Sequence, residues 1–106
     1  MIYISAPYNH KDKDVILSRM ESVYAKFAEL MLKGENPVSP LMAHAVVERH
    51  PVPSNSEYWE EYSITLLSKC DKMVVLLLDG WEFSNGVQYE IAYCIENNIP
   101  FDYIEV

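Results

Sequence analysis

The chain has 106 residues, half of them hydrophobic, which is enough for one domain with its own core and too few for a second. Its net charge of -8, from 8 basic and 16 acidic residues, excludes the basic footprint that a nucleic-acid polymer requires. No apolar run approaches the roughly 20 residues of a membrane span, and the N-terminus lacks the basic region of a signal peptide. We therefore expect a single cytoplasmic domain over residues 1–106 with no membrane contact.

The N-terminal segment is typical of a strand that leads into a loop and a helix. Met1–Ser5 is short, apolar and rich in β-forming residues, and the loop Ala6–His10 follows at once. Asp12 or Asp14 can open a helix, because a carboxylate there accepts a hydrogen bond from a free backbone amide. Apolar residues then recur at helical spacing, which predicts an amphipathic helix over Val15–Lys33.

The middle of the chain predicts a short strand, a loop and a second helix. Gly34 stands where a helix C-terminal cap belongs, and Asn36–Ser39 follows as a strand. Leu41–Pro53 is rich in proline and predicts an irregular loop, which at this length is often functional. Ser54 or Ser56 can cap the next helix, whose predicted inward stripe is Trp59, Tyr62, Leu66 and Cys70.

The C-terminal third predicts a buried strand, a loop, a third helix and a last strand. Lys72–Leu78 contains a continuous apolar run, which suits a parallel strand buried on both faces. The loop Asp79–Phe83 leads to Ser84, which can cap the helix, and Asn97-Asn98 ends it. Ile99–Ile104 is the last strand. The inward stripe of this helix is Val87, Ile91, Cys94 and Ile95.

The order of these elements, β-α-β-α-β-α-β, predicts an α/β fold: a three-layer α-β-α sandwich with a small parallel sheet, flavodoxin/Rossmann-like. Ligands of such sheets bind beyond the carboxyl ends of the strands, where the strand order reverses. If the first strand lies between the second and the third, two loops line that crevice. These loops are Ala6–His10 and Asp79–Ser84.

The start of the third helix carries the residues most suited to chemistry. Ser84 can cap the helix, its free amides favour an anion, and Gly86 permits close approach. The alternative is an ordinary N-cap. Glu90 flanks the inward stripe, and a carboxylate there can act as a nucleophile on a sugar carbon. The alternative for Glu90 is a solvated position on the helix surface.

The remaining reactive residue types predict structural roles. Cys70 and Cys94 lack the CxxC spacing of redox or metal sites, so we expect reduced thiols in the core. His44 can either hold the long loop by a hydrogen bond or contact the substrate. Arg19 can pair with an acidic neighbour, lean toward the first loop, or bind a phosphate. We expect no metal and no cofactor, because metal-ligand spacing is absent from His10, His44 and His50.

Several segments together resemble a known superfamily. Residues 84–90, SNGVQYE, are similar to the SxGVxYE motif of the nucleoside 2-deoxyribosyltransferase superfamily, and especially of its deoxynucleoside 5′-monophosphate N-glycosidases. IYISAPYN resembles the family's opening strand and loop. Gly34–Pro40, the CD before the third strand, and LDGWExSxG resemble a compact, functionally unassigned branch. The resemblance covers essentially the full chain and implies one deoxyribosyltransferase-like domain.

The resemblance implies roles for individual residues. The Glu that matches Glu90 is the nucleophile that attacks C1′ of the deoxyribose, and the Tyr that matches Tyr3 orients it. The residues that match Ser84 and Gly86 contact the 5′-phosphate in the monophosphate-specific members. The loop that matches Ala6 to Asn9 helps to bind sugar or phosphate. From residue type alone, we expect the base to stack on Tyr8 or Trp81.

The sequence departs from the family pattern at two positions. Ser63 stands where relatives carry an assisting carboxylate, and Asn9 stands where the glycosidases carry an arginine. We expect Glu60 and Glu61 to fall on another part of the helix than Ser63. The acid that could replace the missing carboxylate is then Asp79 or Glu82.

These observations lead to one principal hypothesis and two alternatives. The principal hypothesis is cleavage or transfer of the N-glycosidic bond of a 2′-deoxynucleoside or its 5′-monophosphate through Glu90. The alternatives are a non-catalytic nucleotide-binding protein and an enzyme for another glycosidic substrate, such as a dinucleotide or a modified nucleotide. The expected partners are a small nucleoside or nucleotide and further copies of the chain, as a homodimer or larger homo-oligomer. We expect Tyr62, Tyr89 and Tyr93 to belong to the core or to that interface and not to contact a ligand.

Overall fold

The computed structural model describes all residues 1–106 and contains a single sheet of four strands. The strands are β1 (Ile2–Ser5), β2 (Pro37–Val38), β3 (Lys72–Leu76) and β4 (Phe101–Ile104), and their order in space is β2-β1-β3-β4. All three pairings are parallel, with Tyr3 opposite Met73 in the central pair. The predicted α/β fold is therefore confirmed, and the first strand lies between the second and the third, which is the condition for a crevice lined by the two loops.

Four α-helices connect the strands and cover the sheet. They are α1 (Lys13–Leu32), α2 (His44–Arg49), α3 (Ser56–Leu67) and α4 (Asn85–Glu96). None of these helices combines the length and the hydropathy that crossing a membrane requires.

The core has one layer of apolar side chains on each face of the sheet, because successive strand residues point to opposite sides. On one face, strand residues pack against α1; the buried members of this layer are Ile2, Ile4, Ala6, Val23, Leu30, Val74 and Leu76. On the other face, they pack against α3 and α4; the buried members are Tyr3, Leu67, Cys70, Met73, Val75, Val87, Ile91 and Cys94. This arrangement is the predicted three-layer sandwich.

Several predicted helix ends are confirmed. Asp12 caps α1 and accepts a hydrogen bond from the backbone amide of Asp14 at 2.9 Å. Gly34, just beyond α1, has φ +79, a left-handed conformation that glycine adopts without strain. Ser84 caps α4 by accepting from the amide of Val87 at 3.3 Å.

The long loop prediction is wrong for its first part. Within Leu41–Pro53 the chain forms a 3₁₀ turn (Pro40–Ala43) followed directly by α2. Ser39 starts this turn, because its hydroxyl accepts from the amide of Leu41 at 3.2 Å and a proline follows it. The predicted serine cap of α3 is also wrong, since Asn55 holds the N-cap position without a side-chain hydrogen bond.

Two residues predicted to face inward lie on the surface instead. Tyr62 is 38% exposed and Ile95 is 64% exposed. Leu66 packs against the core and Cys70, just beyond α3, is buried, so these two members of the predicted stripe are confirmed. The N-terminal half of α3 borders an open cavity.

Candidate functional site

A cavity of about 720 Å³ lies where the strand order reverses, beyond the carboxyl end of β1. This volume falls in the range of small-molecule sites. The wall is formed by β1 and its loop, the 3₁₀ turn with α2, α3, and the start of α4. Seven of the residues predicted for the site line it: Tyr3, Ala6, Tyr8, Asn9, Ser84, Gly86 and Glu90.

The carboxylate of Glu90 is buried at this cavity and held by two hydroxyl groups. Glu90 is 7% exposed. The phenol of Tyr3 donates to Oε2, and the hydroxyl of Ser5 donates to Oε1 at 2.6 Å. Tyr3 and Ser5 alternate on β1 and therefore point to the same face of the sheet, toward α4. The two hydrogen bonds hold the carboxylate in one orientation.

Burial has the largest effect on the pKa of the Glu90 carboxyl group. Loss of solvent raises the pKa of Glu90 to about 7, although hydrogen bonds from Ser5, Tyr3 and Ser63 favour the charged form. Burial, and then the nearby negative charge of Glu90, raise the pKa of Tyr3 well above its usual range. Tyr3 therefore stays a proton donor, and Glu90 changes its charge near neutral pH.

Helix α3 brings a hydroxyl and a carboxyl group to the cavity. The hydroxyl of Ser63 faces Glu90 and Tyr3 and lowers the pKa of both. Glu60 also lines the cavity and is partly buried. The prediction that Glu60 falls on another part of the helix is wrong, because residues three apart share a helix face. Glu61 is exposed and outside the cavity wall, as predicted.

The start of α4 and one guanidinium group form the polar end of the cavity. Ser84, Asn85 and Gly86 line it, and the first amides of a helix have no partners within the helix. Arg19 is the only Lys or Arg among the lining residues. No carboxylate forms a salt bridge with it. This end combines a positive charge with the favourable end of a helix dipole.

Arg19 joins the two loops at the strand ends. Its Nη1 atom donates to the carbonyl of Tyr8 at 3.2 Å and to that of Asn9 at 2.9 Å. Its Nη2 atom donates to the carbonyl of Asp79 at 2.9 Å. The guanidinium also passes the backbone of Gly80, where an added Cβ would lie 2.9 Å from Nη2. The expected contact of Arg19 with the first loop is confirmed, whereas its contact with the second loop was not predicted.

A second polar cluster, Tyr8, His44 and Glu48, lies on the α2 side of the cavity. The phenol oxygen of Tyr8 is 2.6 Å from Nδ1 of His44, and the two rings meet edge to face. Nε2 of His44 lies 3.4 Å from a carboxylate oxygen of Glu48. Both Tyr8 and His44 line the cavity. The spacing of four between His44 and Glu48 signals this pair only once the segment is known to be a helix.

Two predicted ligand contacts are not part of the cavity wall. Trp81 packs against Tyr103, with ring centroids 5.5 Å apart, and against the core beside α4. Asp79 is exposed and contributes only its backbone carbonyl, to Arg19. The reason is the 3₁₀ turn Trp81–Phe83, which turns Trp81 toward the sheet and leaves Phe83 at the cavity, 87% exposed. Glu82, the other suggested acid, is also exposed and outside the wall.

Cys70, Cys94, His10 and His50 do not line the cavity. Cys70 and Cys94 are free and buried, as predicted. Burial raises the pKa of both thiols, that of Cys94 to about 11, so both are protonated at neutral pH. Nowhere does the chain bring together three or more His, Cys, Asp or Glu side chains that could hold a metal ion.

The fold and the site together define a small parallel α/β protein with a buried, hydrogen-bonded carboxylate in a ligand-sized cavity at its topological switch point. A family model described as "Domain of unknown function (DUF1937)" matches residues 1–103, and the chain belongs to this family. None of the curated proteins matches the chain. The activity therefore has to be argued from the site.

Proposed function

We propose that this protein cleaves or transfers the N-glycosidic bond of a 2′-deoxynucleoside or its 5′-monophosphate, with Glu90 as the nucleophile. The observation that carries the proposal is the Glu90 carboxylate, which is buried at the cavity and fixed by Tyr3 and Ser5. A carboxylate removed from water and held in place is suited to meet the positive charge that develops on an anomeric carbon.

The reaction proceeds in two displacements at C1′ of the sugar. A carboxylate oxygen of Glu90 forms a bond to C1′ while the C1′–N bond breaks and its electron pair leaves with the base. Water then attacks C1′ and releases the carboxylate, or the nitrogen of a second base does so and completes a transfer. Tyr3 and Ser5 keep the carboxylate oriented in both steps, because both hydroxyls lie on the rigid first strand.

The substrate class follows from the cavity and its polar end. A volume of about 720 Å³ accommodates a nucleotide. The free amides at the start of α4, together with Arg19, favour a phosphate at that end. Tyr8 and Trp59, which also line the cavity, supply apolar surface for a base. Asp79 and Trp81 have no part in this assignment.

The test is chromatography of deoxynucleosides and their 5′-monophosphates after incubation with the protein, with and without an acceptor base. We expect free base from the parent and at least a 1,000-fold slower release from Glu90→Gln. Glu96→Gln is the matched control, because Glu96 is an exposed residue of the same helix. Unchanged base release by a folded Glu90→Gln protein would rule out the proposed nucleophile.

One observation favours a second candidate function, a non-catalytic nucleotide-binding protein. Ser63, and not a carboxylate, faces Glu90 from α3. In that case calorimetry would detect nucleotide binding while long incubation released no base. Asn9 in the cavity wall instead favours another glycosidic substrate, and dinucleotides and modified nucleotides belong in the same assay. The cytoplasmic location and the homo-oligomer stay predictions. Of the three tyrosines expected in the core or at an interface, Tyr93 packs against the core, whereas Tyr89 lines the cavity.

A further inference from the structure

The cluster of Tyr8, His44 and Glu48 is a chain of polar groups that runs from the cavity to the surface. Tyr8 is partly buried, His44 is 9% exposed, and Glu48 is exposed. The order of contacts is the Tyr8 oxygen, Nδ1 of His44 at 2.6 Å, and then a Glu48 oxygen 3.4 Å from Nε2. The proposed function uses Tyr8 only as apolar surface for the base and gives His44 and Glu48 no role.

The partners of the imidazole decide where its protons lie. An unprotonated Nε2 would place its lone pair against the Glu48 carboxylate, which is unfavourable because both groups are acceptors. Nε2 therefore carries a hydrogen. When Nδ1 is also protonated, it donates to the Tyr8 oxygen, and the phenolic hydrogen is then free to point into the cavity. When Nδ1 is not protonated, the phenol donates to it instead. The protonated ring is therefore the state in which Tyr8 offers a proton to a ligand.

We propose that Tyr8 is the general acid that protonates the departing base, that His44 returns a proton to Tyr8, and that Glu48 positions His44. This inference rests on the proposed function. It concerns the departing base, whereas Glu90 acts only on the sugar. A purine or pyrimidine that leaves without a proton departs as an anion, which is unfavourable. Ser63 cannot supply that proton as an acid, and Asp79 and Glu82 are outside the cavity wall. Glu60 is the other carboxyl group in the wall besides Glu90, and the test below distinguishes it from Tyr8.

The proton balance of the step is complete. As the C1′–N bond breaks, its electron pair moves into the base, and a ring nitrogen of the base takes the phenolic hydrogen of Tyr8. The Tyr8 oxygen takes the Nδ1 hydrogen of the imidazolium, which becomes neutral and keeps Nε2–H toward Glu48. In the second step the attacking water gives its proton back to His44 through Tyr8. Burial raises the pKa of Tyr8, and Glu48 raises it further, so the phenol begins the cycle protonated.

The test compares a purine 2′-deoxynucleoside 5′-monophosphate with its N7-methylated counterpart. Methylation at N7 places a positive charge on the base, which then leaves as a neutral molecule without a proton. We expect Tyr8→Phe to lower the ratio of the two rates, unmethylated over methylated, by about 100-fold or more. His44→Gln should lower the same ratio, and Glu48→Gln should lower it less, because Glu48 is exposed. Tyr103→Phe, the same chemical change outside the cavity, is the control.

The outcomes separate this inference from the proposed function. If the parent cleaves both substrates and Tyr8→Phe lowers both rates equally or neither, Tyr8 is not the acid and the role of Glu90 still stands. If Glu60→Gln lowers the ratio and Tyr8→Phe does not, Glu60 is the acid and this inference is overturned. If the parent cleaves neither substrate, both proposals fail for this substrate class.

Discussion

The phenol of Tyr3 donates a hydrogen bond to the carboxylate of Glu90, although 87 positions separate the two residues in the chain. Tyr3 lies on β1 and Glu90 on α4, and the parallel pairing of β1 with β3 brings them together. The contact forms only when both halves of the sheet are assembled. Its effect on the charge of Glu90 leads to the first two predictions.

Tyr3→Phe tests whether the phenol controls Glu90. The substitution keeps the ring in the core and removes a hydrogen bond that lowers the pKa of Glu90. We expect the acidic limb of the rate profile to move to higher pH and base release at neutral pH to fall about 10-fold. Tyr103→Phe, outside the cavity wall, is the control. An acidic limb at the same pH in Tyr3→Phe and in the parent would show that Tyr3 does not control the charge of Glu90.

The parent should release base more slowly as the pH falls below about 7. The nucleophile is the carboxylate, and burial raises the pKa of Glu90 to about 7, so protonation removes the reactive form as the pH falls through that value. Below that pH the rate should fall about tenfold per pH unit, because a single proton blocks the nucleophile. The measurement is kcat/KM against pH. A rate that is constant from pH 5 to 8 would contradict it.

Glu90 should lower the stability of the folded protein at high pH. Its pKa is about 7 in the folded protein, compared with an ordinary value of 4.5, so the folded state binds the proton more tightly than the unfolded state. The resulting stability is complete below about 4.5 and is lost as the pH rises through 7. Glu90→Gln stays neutral, and its free energy of unfolding should exceed that of the parent by up to about 3 kcal/mol at pH 8.

Urea denaturation of the parent and of Glu90→Gln at pH 5 and pH 8 measures this difference. Glu96→Gln, on the exposed side of the same helix, should follow the parent at both values. If the free energy of unfolding of Glu90→Gln exceeded that of the parent by less at pH 8 than at pH 5, the pH dependence would have the wrong sign. That result would show that burial does not dominate the pKa of Glu90.

Two glycines at the cavity should respond differently to alanine. Gly80 has φ +89, and a Cβ there would lie 2.9 Å from the guanidinium of Arg19, so Gly80→Ala should lower the free energy of unfolding by about 1–3 kcal/mol. Gly86 is in the first turn of α4, where the nearest atom to a Cβ is 3.9 Å away. Gly86→Ala should leave stability within about 0.5 kcal/mol and weaken nucleotide binding, because the added methyl group stands at the free amides. Equal losses of stability in the two variants would contradict this contrast.

The sequence alone predicted the fold class, the order of the elements along the chain and most of their positions. Local patterns carry this information: the apolar run of Lys72–Leu76, the helical spacing in α1, and the caps Asp12 and Ser84. It also predicted the edge of the sheet at which the cavity lies, because parallel strands end at a common edge.

Only the tertiary structure decided which side chains meet at the cavity. The contacts of Tyr3 with Glu90 and of Tyr8 with His44 join distant segments, and no local spacing encodes them. The short 3₁₀ turn Trp81–Phe83 sets the orientation of Trp81, and packing against β4 places its ring beside Tyr103. The burial that raises the pKa of Glu90 arises from packing of α4 against the sheet, because loss of solvent is a property of the assembled core and not of any segment.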